Sequence, residues 1–168
     1  MSQQKILVLV RHAKSSWEHS GLADYQRPLN LRGERDAPRM GQRLVKRNIN
    51  LELIISSTAV RALTTAQTIA KKLNYALENI ILDESIYGAD PRELIDMLRV
   101  VDNRYNCIML VGHNPGITEL VYQLSGEDLG NVPTCGIATL SFDIQEWGGV
   151  KEGQAQLLDF DYPKKRED

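Results

Sequence analysis

The chain has 168 residues, of which 42 % are hydrophobic and 25 % are charged, and its net charge at pH 7 is -2. This length and composition favour one globular domain, which we expect over residues 1–168 with a flexible tail over 162–168. The balance of charges argues against a nucleic-acid partner. No apolar run is long enough for a membrane span or a signal peptide, so we expect no membrane partner and a cytoplasmic location.

Short apolar runs alternate with longer amphipathic stretches along the chain. The apolar runs predict four buried strands, at residues 5–10, 51–55, 80–82 and 107–111. Apolar residues at helical spacing predict four helices, over residues 31–48, 59–73, 91–101 and 115–124. The last part of the chain predicts two more strands and the hairpin loop between them, at residues 136–142, 155–160 and 147–149. This alternation predicts an α/β fold, a three-layer α/β/α sandwich around a mostly parallel central sheet.

Reactive side chains follow the first four predicted strands, at the point where each strand ends. Arg11 and His12 follow the first strand and Arg61 follows the second, while Glu84 and His113 come after the third and fourth. Because open α/β sheets bind ligands outside the carboxyl ends of their strands, we expect these side chains to converge. Guanidinium groups grip phosphate oxygens, and an uncharged imidazole is a competent nucleophile, so the set suits phosphate chemistry.

Each of these residues also has an ordinary structural explanation when it is taken alone. An arginine after a buried strand is often a surface residue, and a histidine near a loop is often structural; only the joint placement favours a shared site. His12 and His113 belong to no His-x-x-x-His or carboxylate-rich pattern, so we expect no metal and no cofactor. His19 lies in a polar stretch and is expected to be an exposed loop residue. Trp17 and Trp147 could lie in the core or at an interface, and core contacts are the commoner case.

Several blocks of the sequence resemble the histidine phosphatase superfamily, the phosphoglycerate mutase-like enzymes. The Arg-His motif of that family resembles Val-Arg-His-Ala-Lys-Ser-Ser-Trp at residues 10–17, and its second histidine motif resembles Val-Gly-His-Asn-Pro-Gly at 111–116. Further matching blocks lie between and after these motifs, at residues 27–33, 56–62 and 133–138. More narrowly, the blocks are similar to the SixA-type phosphohistidine phosphatases over about residues 5–160. The resemblance implies a phosphoglycerate mutase-like fold.

The resemblance also implies roles for the matched positions. His12 would be the nucleophile that takes the phosphoryl group. Arg11, Arg61 and His113 would bind the phosphate, with His113 acting best when it is protonated, and Ser15 would contact the phosphate as well.

A carboxylate in the stretch that resembles the proton-donor segment of the family would act as the general acid. Glu84 occupies that position, and Asp83 is the second choice. Ala13 stands where many relatives have glycine, a change that the SixA-like branch tolerates.

The expected function is hydrolysis of phosphohistidine, or of another phosphoprotein, through a covalent phosphoryl group on His12. Two alternatives stay open: a broad small-molecule phosphomonoesterase with the same machinery, and a phosphate-binding module without turnover. The partner is accordingly expected to be a phosphorylated protein or a small phosphomonoester. The sequence indicates neither the physiological substrate nor the oligomeric state.

Overall fold

The continuous apolar runs form a six-stranded sheet in the structure, a computed structural model that describes residues 4–166. Its strands are β1 Lys5–Arg11, β2 Leu53–Ser56, β3 Ile81–Leu82, β4 Cys107–Gly112, β5 Ile137–Phe142 and β6 Gln156–Asp161. The described helices are α1 Leu31–Lys46, α2 Val60–Lys72, α3 Pro91–Arg99 and α4 Gly116–Ser125. Every predicted element is present, and its bounds differ from the prediction by at most two residues.

The strand order across the sheet is β3-β2-β4-β1-β5-β6. The pairs β3–β2, β2–β4 and β4–β1 are parallel, whereas β5 runs antiparallel to both β1 and β6. The predicted mostly parallel sheet is therefore confirmed. Since β1 to β4 point the same way, the residues that follow them emerge at one edge of the sheet.

The two faces of the sheet carry separate hydrophobic cores, because alternate side chains of each strand point to opposite faces. Leu7 and Leu9 of β1 pack in the core that contains residues of α3 and α4. Val8 and Val10 of the same strand pack in the core that contains residues of α1 and α2. The result is the predicted three-layer sandwich.

Local backbone chemistry explains where the helices begin and end. Asn30 caps α1 by accepting a hydrogen bond from the backbone of Gly33, and Asp90 caps α3 in the same way. Asn48 and Asn74 take positive φ angles of 57° just after α1 and α2, a conformation that stops a helix. The prediction for α1 ran two residues too far, to Asn48, whose left-handed backbone lies outside the helix.

The two tryptophans have opposite environments. Trp147 is fully buried in the turn between β5 and β6, where its Nε1 donates a hydrogen bond to the carbonyl of Tyr105. The expected core position therefore holds for Trp147. It is wrong for Trp17, which is 77 % exposed and lies over the guanidinium of Arg27.

The C-terminal stretch that was expected to be a flexible tail begins with residues that contact α1. Arg43 donates hydrogen bonds to the carbonyls of Tyr162, Pro163 and Lys165. The last two residues of that expected tail lie outside the described ones. No helix in residues 4–166 is long and apolar enough to cross a membrane.

Gly33 is the point where α1 packs against the chain just after His12. A Cβ at Gly33 would lie 2.2 Å from the backbone oxygen of Lys14, whereas a Cβ at Gly21 would meet nothing within 4 Å. We expect Gly33→Ala to cost about 1–3 kcal/mol of unfolding free energy through this overlap. Gly21→Ala, the control, should stay within about 0.5 kcal/mol of the parent. Urea unfolding of both variants tests this, and equal stabilities would contradict it.

Candidate active site

The carboxyl ends of β1 and β4 bring the two histidines together. Arg11 is the last residue of β1, and the backbone amide of His12 donates to the carbonyl of Gly112 at 3.1 Å. The rings of His12 and His113 consequently lie 5.1 Å apart between centroids. Arg61, at the start of α2, lies close enough that its charge, after burial, helps to lower the pKa of both histidines. The structure thus joins four of the five side chains whose convergence the strand ends predict.

His12 is held as a neutral ring with one defined tautomer. Its Nδ1 lies 2.8 Å from the carbonyl oxygen of Ala13, which can only accept, so the hydrogen is on Nδ1 and the lone pair is on Nε2. The residue is 7 % exposed, and this burial lowers its pKa to about 3, assisted by the charges of His113, Arg61 and Arg11. His12 is therefore unprotonated at neutral pH, as a nucleophilic imidazole must be.

A buried threonine connects the loop after His12 to the helix that carries Arg61. Thr65 Oγ1 accepts from the amide of Ala13 at 2.9 Å and donates to the carbonyl of Arg61 at 2.7 Å. This side chain therefore links the peptide of Ala13, whose carbonyl contacts His12, to the backbone of Arg61.

Two buried nitrogen atoms beside His12 have no hydrogen-bond partner within residues 4–166. They are Nε of Arg11, whose Nη1 donates to the Val132 carbonyl at 3.0 Å, and Nδ1 of His113. The other ring nitrogen of His113 lies 2.8 Å from Ser57 Oγ. When Ser57 donates this bond, the hydrogen of the neutral ring is on Nδ1. Buried donors of this kind are costly unless satisfied, and the oxygens of a phosphoryl group would satisfy them.

The surroundings of His113 favour its uncharged form. Burial, followed by the charge of Arg61, lowers its pKa to about 4, although the charge of Asp24 acts in the opposite direction. These surroundings favour a neutral ring at pH 7, whereas the family resemblance implies that His113 acts best when it is protonated. It can still donate one hydrogen bond from a single N–H.

A carboxylate that the sequence patterns missed lies over Arg61. The guanidinium donates from Nη1 to the backbone oxygen of Asp24 at 2.7 Å and from Nη2 to its carboxylate at 2.9 Å. The same carboxylate accepts from Arg27 at 2.9 Å and from the hydroxyl of Tyr87. Asp24 lies in a short turn between β1 and α1, a stretch without periodicity, so no sequence signal marked it.

Ser15 is buried at the edge of the site and is bound to an arginine. Its Oγ accepts a hydrogen bond of 2.5 Å from Nη2 of Arg27, whose Nε donates to the carbonyl of Ser16 at 3.0 Å. Ser15 therefore lies near the expected phosphate pocket, and Arg27 adds a guanidinium that is buried like that of Arg61, at a position for which the sequence motifs predicted no role.

Glu84 is not joined to the cluster. It is exposed in the turn Glu84–Ile86, and in the described part of the chain its carboxylate makes no hydrogen bond or ion pair. Asp83 accepts from the backbone and hydroxyl of Ser85, so it caps that turn. The residue of this segment that reaches the site is Tyr87, whose ring edge packs on His113 at 5.3 Å between centroids.

The cluster is built for an anion. It presents guanidinium groups and imidazoles around an unprotonated histidine nitrogen, and residues 4–166 contain no group of three or more His, Cys, Asp or Glu side chains that could hold a metal ion. Such a pocket can bind a phosphoryl group, stabilise the charge that develops on its oxygens, and accept it covalently.

Three comparisons give this cluster a family context. A family model described as histidine phosphatase superfamily (branch 1) matches residues 7–88. An uncharacterised protein of Mycobacterium tuberculosis is 34 % identical over 92 % of this chain and 100 % of its own length. The structure of a putative phosphohistidine phosphatase SixA from Agrobacterium tumefaciens is 28 % identical, covers 95 % of this chain and 98 % of its own, and superposes with a TM-score of 0.80.

A protein histidine phosphatase SixA complexed with tungstate shares the fold. Its TM-score is 0.81 at 20 % identity, over 94 % of this chain and 97 % of its own.

The depressed pKa of His12 predicts how stability depends on pH. The unfolded histidine takes up a proton near pH 6.5 and the folded one only near pH 3, so stability is complete above about 6.5 and falls as the pH drops between these values. When the pH falls from 7 to 5, His12 should lower the free energy of unfolding by about 1–2 kcal/mol. The unfolding free energy of His12→Asn, measured by urea titration at the two pH values, should fall less than that of the parent. An equal loss of unfolding free energy in the parent and the variant would contradict the lowered pKa of His12.

Proposed function

The chain belongs to the histidine phosphatase superfamily, SixA type, and we propose that it hydrolyses phosphohistidine in proteins through a covalent phosphoryl group on His12. The observation that carries this proposal is the state of His12. Its ring is neutral, and its Nδ1–H is held by Ala13 while Nε2 carries a lone pair. The neighbouring Arg11 and His113 offer buried donors for phosphoryl oxygens.

The first step transfers the phosphoryl group to the enzyme. The Nε2 lone pair of His12 forms a bond to phosphorus while the bond from phosphorus to the leaving atom breaks, and the leaving atom keeps that electron pair. Arg11, Arg61 and His113 stabilise the charge on the equatorial oxygens. A leaving imidazole takes one proton from solvent or from a nearby acid, and an alkoxide leaving group needs the acid more.

The second step returns His12 to its starting state. Water attacks phosphorus in line, its proton passes to solvent or to a carboxylate, and the bond between phosphorus and Nε2 breaks. Inorganic phosphate leaves and the electron pair returns to His12. The neutral ring needs no metal ion at either step, so incubation with EDTA should leave the rate unchanged.

The rim of the site supports a phosphate that is presented on a protein. Trp17, Tyr25 and Tyr87 are exposed, and only the short connection of residues 88–90 separates Tyr87 from α3. Within residues 4–166 this rim is exposed, which suits a large phosphorylated partner better than a small ester that needs burial for affinity. The structurally similar Agrobacterium tumefaciens protein is named a putative phosphohistidine phosphatase, which agrees with this chemistry.

The role of His12 is tested by truncation. Because it supplies the attacking nitrogen, we expect His12→Ala to lower phosphate release from a phosphohistidine protein by at least about 10⁴-fold, a loss typical of a removed nucleophile. The control is His19→Ala, which removes an exposed histidine from the loop that follows. Thermal unfolding establishes that both variants fold. Turnover by His12→Ala within tenfold of the parent would exclude the covalent mechanism.

We further propose that Glu84 is the proton donor for poor leaving groups. Glu84→Gln should then lower the hydrolysis of an alkyl phosphate by about 10²-fold, within the usual range for a general acid, and that of a phosphohistidine peptide by less than threefold. Asp83→Asn, which alters the neighbouring carboxylate, should change the ratio of the two rates little. An equal effect of Glu84→Gln on both substrates would remove Glu84 from the mechanism.

A further inference from the structure

One carboxylate connects three separate parts of the site. Asp24, in the connection between β1 and α1, accepts hydrogen bonds from Arg61 of α2, from Arg27 of its own connection, and from Tyr87 beyond β3. Tyr87 in turn packs against the ring of His113. No residue of the family motifs in the sequence predicts this contact, and the reaction described above does not use Asp24.

The solvent exposure of Asp24 differs from that of the two arginines that it binds. The side chains of Arg27 and Arg61 are 9 % and 8 % exposed, whereas that of Asp24 is 47 % exposed. The carboxylate therefore lies on the outer side of two buried guanidinium groups. A substrate whose phosphoryl group binds Arg61 comes close to this negative charge, because the same guanidinium binds Asp24.

Arg61 can bind the carboxylate of Asp24 and a phosphoryl group at the same time. A guanidinium group has five N–H donors, and Arg61 gives one from Nη1 and one from Nη2 to Asp24. One of the remaining donors is directed toward Tyr87, which leaves two for phosphoryl oxygens, so the carboxylate can stay in place while phosphate binds. Hydrogen bonds from Tyr87 and then from Arg27 hold the pKa of Asp24 below its usual range, which keeps the carboxylate charged.

We propose that Asp24 is a positioning and specificity residue that holds Arg27 and Arg61 and disfavours substrates with a negatively charged leaving group. The inference rests on the proposed phosphatase function and names the substrate class more closely. Imidazole leaving groups, which are neutral or cationic, are compatible with the negative charge of Asp24. Phosphate esters that carry an additional carboxylate are disfavoured, because that carboxylate and Asp24 repel each other.

Three aryl phosphates that differ only in charge test the proposal. They are para-carboxyphenyl, phenyl and para-aminomethylphenyl phosphate, with anionic, neutral and cationic leaving groups. Each kcat/KM is divided by that of phenyl phosphate, so that a general loss of phosphate binding cancels. In Asp24→Asn we expect the relative value of the anionic substrate to rise about threefold or more and that of the cationic substrate to fall, as for a partly exposed charge pair.

Two further variants provide controls. Glu18→Gln removes one negative charge from the same connection at an exposed position, and it should keep the parental ratios. Asp24→Glu retains the charge and should keep the anionic substrate disfavoured, even if the longer side chain lowers every kcat/KM. Added salt should reduce the effect of Asp24→Asn, because it screens charges but not packing.

The outcomes separate this inference from the proposed function. Ratios that change less than about twofold in a folded, active Asp24→Asn protein would overturn the role of Asp24 and leave the phosphatase function intact. A parent protein that releases phosphate from none of these esters and from no phosphohistidine peptide would overturn both.

Discussion

The hydrogen bond from His12 Nδ1 to the carbonyl of Ala13 is the interaction on which the site depends. It assigns the hydrogen of a buried neutral ring to one nitrogen and leaves the lone pair on the other. Burial supplies the second condition, because it lowers the pKa of His12 far below neutrality. Without the hydrogen bond the ring could turn, and without burial it would be protonated in mildly acidic solution.

The fold supports that hydrogen bond from both sides. Strands β1 and β4 pair in parallel, which places His12 against Gly112 and sets the two histidine rings side by side. Thr65 of α2 holds the amide of Ala13, and Gly33 of α1 allows close packing on Lys14. Ordinary packing of sheet and helices therefore positions the reactive side chains, which follow the ends of the strands.

The sequence predicted the parts that follow from periodicity and missed those that depend on the course of loops. Continuous apolar runs located the strands, and the residues just after them included Arg11 and His113. Asp24 was missed because it contacts Arg61 across 37 residues and lies in a segment without a repeating pattern. The lowered pKa of His113 was not predicted because it depends on burial, which a motif does not report. Glu84 follows the correct strand, but its turn leaves it exposed.

The most direct test of the central claim is rapid-quench trapping with a ³²P-labelled phosphohistidine protein, followed by mapping of the labelled peptide. The proposed mechanism predicts a transient phosphoryl group on His12 that is stable in base and labile in acid, and that disappears as phosphate is released. Phosphate release without any labelled enzyme, or a label on another residue, would contradict it.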